Sequence, residues 1–105
     1  FNVCIGYNGQ EEIVDAVKSI VNKGVKSGEV TRALLKDNLY TRDIPPPDMM
    51  IKTGMNPEKR VSAFLLYDIA YTELFFSPTL WPDFSCEELD SLIAEYNQRM
   101  RRFGR

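Results

Sequence analysis

Three consecutive prolines, Pro45-Pro46-Pro47, interrupt the chain near its middle and set the tightest limit on what it can fold into. Each proline fixes φ and lacks an N–H donor, so Asp43 to Pro47 is a stiff loop that neither a helix interior nor a central strand can contain. Elements must end before it and start again after it. Directly behind it, Asp48 to Thr53 reads as a buried strand with Met49-Met50-Ile51-Lys52 at its centre. Ahead of it, Phe1 to Tyr7 reads as a second short strand, apolar on both faces, the pattern of a parallel strand covered by helices.

Helices fit around these strands. Asn8-Gly9 is a turn, and a helix from about Glu11 carries Ile13, Ala16, Val17, Ile20 and Val21 on one face until Lys23-Gly24 ends it. Ser27-Gly28 breaks the chain before a short helix with Val30, Leu34 and Leu35. Past the polar loop from Gly54 to Lys59, Ser62 is the expected N-cap of an apolar helix over Ala63–Ala70, followed by an extended run from Thr72 to Phe76. Ser85 with Glu88 three positions on reads as a capping box. It opens a final helix to about Phe103, with Leu89, Leu92, Ile93, Tyr96, Met100 and Phe103 at helical spacing. The expected fold is α/β, a parallel sheet flanked by helices. A strand apolar on both faces needs more neighbours than 105 residues of this pattern supply, so the chain reads as the C-terminal half of one larger domain.

Composition narrows the chemistry. There is no histidine, and the two cysteines, Cys4 and Cys86, stand far apart with no CxxC spacing. Zinc sites of the usual kind and histidine-based triads are therefore excluded, and the cysteines read as free thiols. With a formal net charge of −2, no global basic field invites nucleic acid. No apolar run approaches the roughly 18–20 residues of a membrane span.

Local charge carries more information. Lys52, Lys59 and Arg60 lie beside Ser62, with Glu73 on the next element. Cations and a hydroxyl near a helix start suit a diphosphate, and an acid nearby suits the magnesium that such a ligand brings. Each position also has a plainer reading. Lys52 could be a solvated strand end, although ligands of open α/β sheets gather beyond the strands' carboxyl ends. Lys59 reads as surface, Trp81, Pro82 and Phe84 as packing, and the arginines of the tail as a solvated helix face. Glu73 has apolar neighbours, so it is either paired or functional.

Six segments, in order, resemble the C-terminal part of the cis-prenyltransferases, the family of undecaprenyl and dehydrodolichyl diphosphate synthases. Gly6-Tyr7-Asn8-Gly9-Gln10-Glu11-Glu12-Ile13 resembles the asparagine/glycine-rich turn after a core strand, with Gln10 where arginine is common. Pro47 to Gly54 resembles the PDLLIRTSGE segment, and Arg60 to Leu66 resembles RxSNFLL. Ala70 to Phe76 resembles AYxExxF, and Leu80-Trp81-Pro82-Asp83-Phe84 is the family's LWPDF. Arg102-Phe103-Gly104 is similar to the family's terminal RxG.

The resemblance implies condensation of isopentenyl diphosphate onto an allylic prenyl diphosphate, with magnesium as cofactor. By it, Lys52, Arg60 and Ser62 grip the isopentenyl diphosphate and Glu73 helps bind the metal. Arg102 and Gly104 belong to a tail that reaches the site of a dimer partner, the dimer being homo- or heteromeric. It also implies a cytoplasmic enzyme, or one at the membrane surface through its polyprenyl product. Three departures stand against it. Lys52 is a point charge where the family carries arginine's bidentate fork. Lys52 and Arg60 are eight positions apart, a longer loop with Met55-Asn56-Pro57 in place of serine–glycine–glutamate. The aspartate–glycine–asparagine–arginine loop for the allylic diphosphate and metal is absent, so the main catalytic aspartate is expected in the N-terminal half. Two other readings compete: a non-catalytic subunit lending only its RxG to an active partner, and an unrelated small α/β phosphate-binding module.

Overall fold

The computed structural model describes residues 1–99. They divide into two compact units, one of Phe1–Pro46 with Ser62–Ala70, the other of Pro47–Val61 with the residues from Tyr71 onward. The proline loop ends at the boundary between them, as a segment barred from regular structure should.

The first unit is helical. Helix α1 spans Gly9–Asn22, and Asn8 caps it by accepting a hydrogen bond from the Gln10 N–H at 2.8 Å. Lys23 closes it, and Gly24 follows at φ +69°, a left-handed position that suits glycine. The buried face is Glu12, Ala16 and Ile20; Val17 and Val21, expected inside, are exposed. A 3₁₀ turn at Ser27–Glu29 leads to helix α2, Arg32–Asp37, whose N-cap Thr31 accepts from the Leu34 N–H at 3.0 Å.

Two expectations fail in this unit. Phe1 to Tyr7 forms no strand, and Phe1, Val3 and Ile5 are exposed. A parallel strand exists only as part of a ladder, and no ladder among the described residues includes this segment. Ser62 is no N-cap either. Residues 62–70 are successive turns, with Ser62, Ala63 and Leu65 at φ +51°, +60° and +47°. Left-handed geometry costs a non-glycine residue roughly 1–2 kcal/mol, and long-range contacts offset it. The Gly9 N–H donates to the Ala63 carbonyl at 2.9 Å, and a Cβ on Gly9 would stand 2.2 Å from that oxygen. Five residues on, Asp68 is buried in an ion pair with Lys36.

The second unit carries the sheet, which among the described residues is two parallel strands, β1 at Met49–Lys52 and β2 at Glu73–Phe76. Met49 pairs with Glu73 and Lys52 with Phe76. Side chains alternate, so Met49, Ile51, Glu73 and Phe75 share one face while Met50, Lys52, Leu74 and Phe76 share the other. A 3₁₀ turn over Trp81–Asp83 precedes helix α3, Cys86–Gln98. Ser85 accepts from the Glu88 N–H at 3.1 Å, but the reciprocal half of the expected capping box is missing. The Glu88 carboxylate instead accepts a hydrogen bond from the Ser77 hydroxyl. The final helix ends at Gln98 and Arg99 is extended, short of the expected Phe103, which lies outside the described residues with Met100. The α/β class with a parallel sheet holds.

Candidate functional site

The C-terminal end of β1 builds the more accessible part of the site. The ladder continues past Lys52: Ser77 N–H donates to the Lys52 carbonyl at 2.8 Å, and Met55 N–H to the Ser77 carbonyl at 2.8 Å. Gly54 N–H donates to the Thr79 carbonyl at 2.7 Å. Gly54 turns there at φ +68°, a conformation that glycine adopts without strain. The turn lets the loop fold back, and Lys52 Nζ donates to the Arg60 carbonyl at 2.8 Å. Two cationic residues eight positions apart are thereby drawn together, with Arg60 and Lys59 exposed at the loop's end. This arrangement can present positive charge and N–H donors to a phosphate group.

Ser77 holds the loop from below. It is buried, its backbone bonds both Lys52 and Met55, its hydroxyl reaches Glu88, and the Thr79 N–H donates to that hydroxyl at 3.1 Å. Nothing in the sequence marked it, because its partners stand up to 25 positions away.

Ser62 opens the second stretch of the first unit, two positions beyond Arg60, and is exposed. Arg102 and Gly104, the expected tail ligands, lie outside the described residues.

Glu73 is not brought to Lys52. It sits at the opposite end of the ladder, three registers or roughly 10 Å along the strands, and on the opposite face. One diphosphate cannot meet both side chains at a shared oxygen. Glu73 Oε2 instead accepts from Arg99 Nη1 at 3.0 Å. Arg99 also donates to the Leu74 carbonyl at 3.0 Å and to Glu95 at 2.6 Å, and its guanidinium lies 3.7 Å from the Phe75 ring centroid. The Glu95 hydrogen bond, followed by that of Glu73, holds Arg99 more firmly protonated than usual. The tail arginines read from the sequence as a solvated helix face, yet the structure makes Arg99 the centre of four contacts.

Magnesium often takes one or two carboxylates, with phosphate oxygens and water completing its shell. Glu73, its side chain 23% exposed, suits the role of such a single ligand. Among the described residues no cluster of three or more acidic, histidine or cysteine side chains could hold a metal alone.

The first unit contains a polar cluster that sequence reading also missed. The Tyr7 hydroxyl donates to Glu12, which is 1% exposed, and the Thr41 N–H donates to the same carboxylate at 3.3 Å. Thr41 Oγ1 donates to Asp68 at 2.5 Å, and Lys36 Nζ donates to Asp68 at 2.7 Å and to Thr41 Oγ1 at 3.1 Å. Burial, then the bond to Glu12, raises the Tyr7 phenol well above its ordinary value. Every side chain here has its partners within the cluster, the pattern of a structural network. Cys4 and Cys86 are free thiols, as expected. No helix among the described residues is long and apolar enough to cross a membrane.

A family model described as putative undecaprenyl diphosphate synthase matches residues 1–104. An isoprenyl transferase of Porphyromonas gingivalis is 41% identical over 98% of this chain and 41% of its own length. A tritrans,polycis-undecaprenyl-diphosphate synthase (geranylgeranyl-diphosphate specific) of Pyrococcus abyssi is 47% identical over 99% of this chain and 40% of its own. The crystal structure of lavandulyl diphosphate synthase from Lavandula x intermedia, in complex with dimethylallyl diphosphate, superposes with a TM-score of 0.84. It is 33% identical, over 96% of this chain and 44% of that one. The chain thus spans about two fifths of the length of the curated relatives it matches.

Proposed function

The chain belongs to the undecaprenyl diphosphate synthase family, and we propose that the protein containing it is a cis-prenyltransferase, condensing isopentenyl diphosphate onto an allylic prenyl diphosphate. Membership removes the unrelated phosphate-binding module from consideration. The order of the motifs supports reading the chain as the C-terminal part of the catalytic domain, carrying the isopentenyl diphosphate site.

The observation that carries this reading is the fold-back of the loop after β1, which ties Lys52 to the Arg60 backbone beyond the strand's carboxyl end. Lys52 and Arg60 hold the diphosphate by charge-assisted hydrogen bonds, and Ser62 adds a hydroxyl. The diphosphate anchors the isopentenyl group and leaves its double bond free to meet the allylic carbon. Arg102 and Gly104 act from the tail on the site of a partner subunit in a dimer. Magnesium, when bound, offsets phosphate charge at the allylic diphosphate, and Glu73 supplies one carboxylate to it. A polyprenyl product brings the enzyme to a membrane surface without a spanning segment.

The test is incorporation of labelled isopentenyl diphosphate by the full-length protein, with an allylic primer and magnesium. Lys52→Ala and Arg60→Ala should each raise the KM for isopentenyl diphosphate. An unchanged KM in both variants removes the loop from the site, and no incorporation by the unaltered protein favours the non-catalytic subunit.

A further inference from the structure

We infer that Ser77 and Glu88 are positioning residues for the isopentenyl diphosphate site: together they brace the loop that presents Lys52 and Arg60 against the first turn of α3. The inference rests on the reading of that loop as the isopentenyl diphosphate site and adds the side chains that hold its shape.

Hydrogen bonding carries it. Strand β2 ends at Phe76, and Pro78 has no N–H to give, so the chain from Ser77 to Thr79 has one backbone anchor fewer. The Ser77 hydroxyl supplies another. Its oxygen accepts from the Thr79 N–H at 3.1 Å, and its single proton goes to the Glu88 carboxylate. A serine hydroxyl rotates unless its proton is held, so Glu88 keeps the lone pairs aimed at Thr79. Glu88 reaches it from the first turn of α3, where Ser85 already accepts from the Glu88 N–H at 3.1 Å. On the other side, the Thr79 carbonyl accepts from the Gly54 N–H at 2.7 Å, where the loop turns at φ +68°. Successive hydrogen bonds, Glu88 to Ser77, Ser77 to Thr79 and Thr79 to Gly54, thus run from the helix to the turn. Gly54 lies just past Lys52, whose Nζ meets the Arg60 carbonyl at 2.8 Å. Ser77 is 3% exposed, so a hydroxyl deprived of Glu88 cannot turn to bulk water. Both side chains act through the backbone that carries Lys52 and Arg60, not on the ligand itself.

The experiment measures kcat and the KM for isopentenyl diphosphate in the full-length protein, at saturating allylic primer and magnesium. Ser77→Ala and Glu88→Ala should each raise that KM on the order of threefold to tenfold with kcat nearly unchanged. Both cations remain, so the effect stays below that of removing Lys52 or Arg60. Glu88→Gln keeps an oxygen acceptor for the hydroxyl and should recover most of what Glu88→Ala loses. The double variant should be no worse than either single one, since the same chain of bonds is broken once. Ser77→Ala alters a buried position, whereas Glu88 is half-buried on a helix that alanine suits, so Glu88→Ala is decisive. An unmoved KM in Glu88→Ala overturns the inference, as does a fall in kcat alone, the mark of a purely structural pair. Additive increases in the double variant overturn it too. If Lys52→Ala and Arg60→Ala raise the KM while Glu88→Ala does not, the inference falls and the site stands. If all three leave it unmoved, the site reading falls and takes the inference with it.

Discussion

Each unit of this chain contains an ion pair between residues distant in sequence, and the two differ in depth. In the first unit, Lys36 and Asp68 meet at 2.7 Å with the aspartate side chain 4% exposed and Thr41 bonded to both. In the second, Arg99 and Glu73 meet at 3.0 Å with 31% and 23% of their side chains exposed. A buried pair cannot be opened without stranding a charge, whereas a half-exposed pair exchanges with water or another ion at modest cost. Similar chemistry thus serves the fold in one place and is available to a ligand in the other.

The sharpest way to break this contrast is Asp68→Ala, which strands Lys36 and Thr41. It should cost about 3–5 kcal/mol of stability in denaturant unfolding of the full-length protein. A loss no larger than that of Glu73→Gln would erase the distinction. Next come Lys52→Ala and Arg60→Ala, whose effect belongs to binding. Each should raise the KM for isopentenyl diphosphate about ten- to a hundredfold, the worth of one charged hydrogen bond, with the melting temperature nearly unchanged. A smaller effect is confined to alkaline pH. The Tyr7 phenol is raised above its unfolded value of about 10 by burial and Glu12, so the folded state holds its proton more tightly. Its contribution is complete below pH of about 10 and drains away as pH rises towards the folded value. Tyr7→Phe should therefore flatten the alkaline fall in stability, and an unchanged slope would remove Tyr7 from the network. Smallest of all, Glu73→Gln should cost less than about 1 kcal/mol in unfolding, since its partner keeps other contacts.

What the sequence made legible was local. Asn8 and Ser85 cap helices because their side chains reach donors two or three positions away. Met49 to Lys52 was readable as a strand because proline barred the alternatives before it. Phe1 to Tyr7 misled because a strand's partners are not written in the strand. Ala63 to Ala70 misled because its backbone answers to Gly9 and its Asp68 to Lys36, contacts that override helical propensity. The cations of the site were visible as a cluster. The position of Glu73 was not, since face and end follow from pairing register, and its partner Arg99 lies 26 positions on.

That register has a consequence for how such a chain can vary. Which face Glu73 and Lys52 occupy depends only on the pairing of β1 with β2, not on the length of the segment joining them. Insertions between residues 53 and 61 can accumulate without exchanging the two faces, whereas residues 62–70 are held by Gly9 and Lys36. A single residue gained or lost within either strand has the opposite effect. It would bring carboxylate and ammonium to the same side of the sheet, where they could neutralise each other. Length is therefore free to drift in the loop and fixed in the four-residue strands.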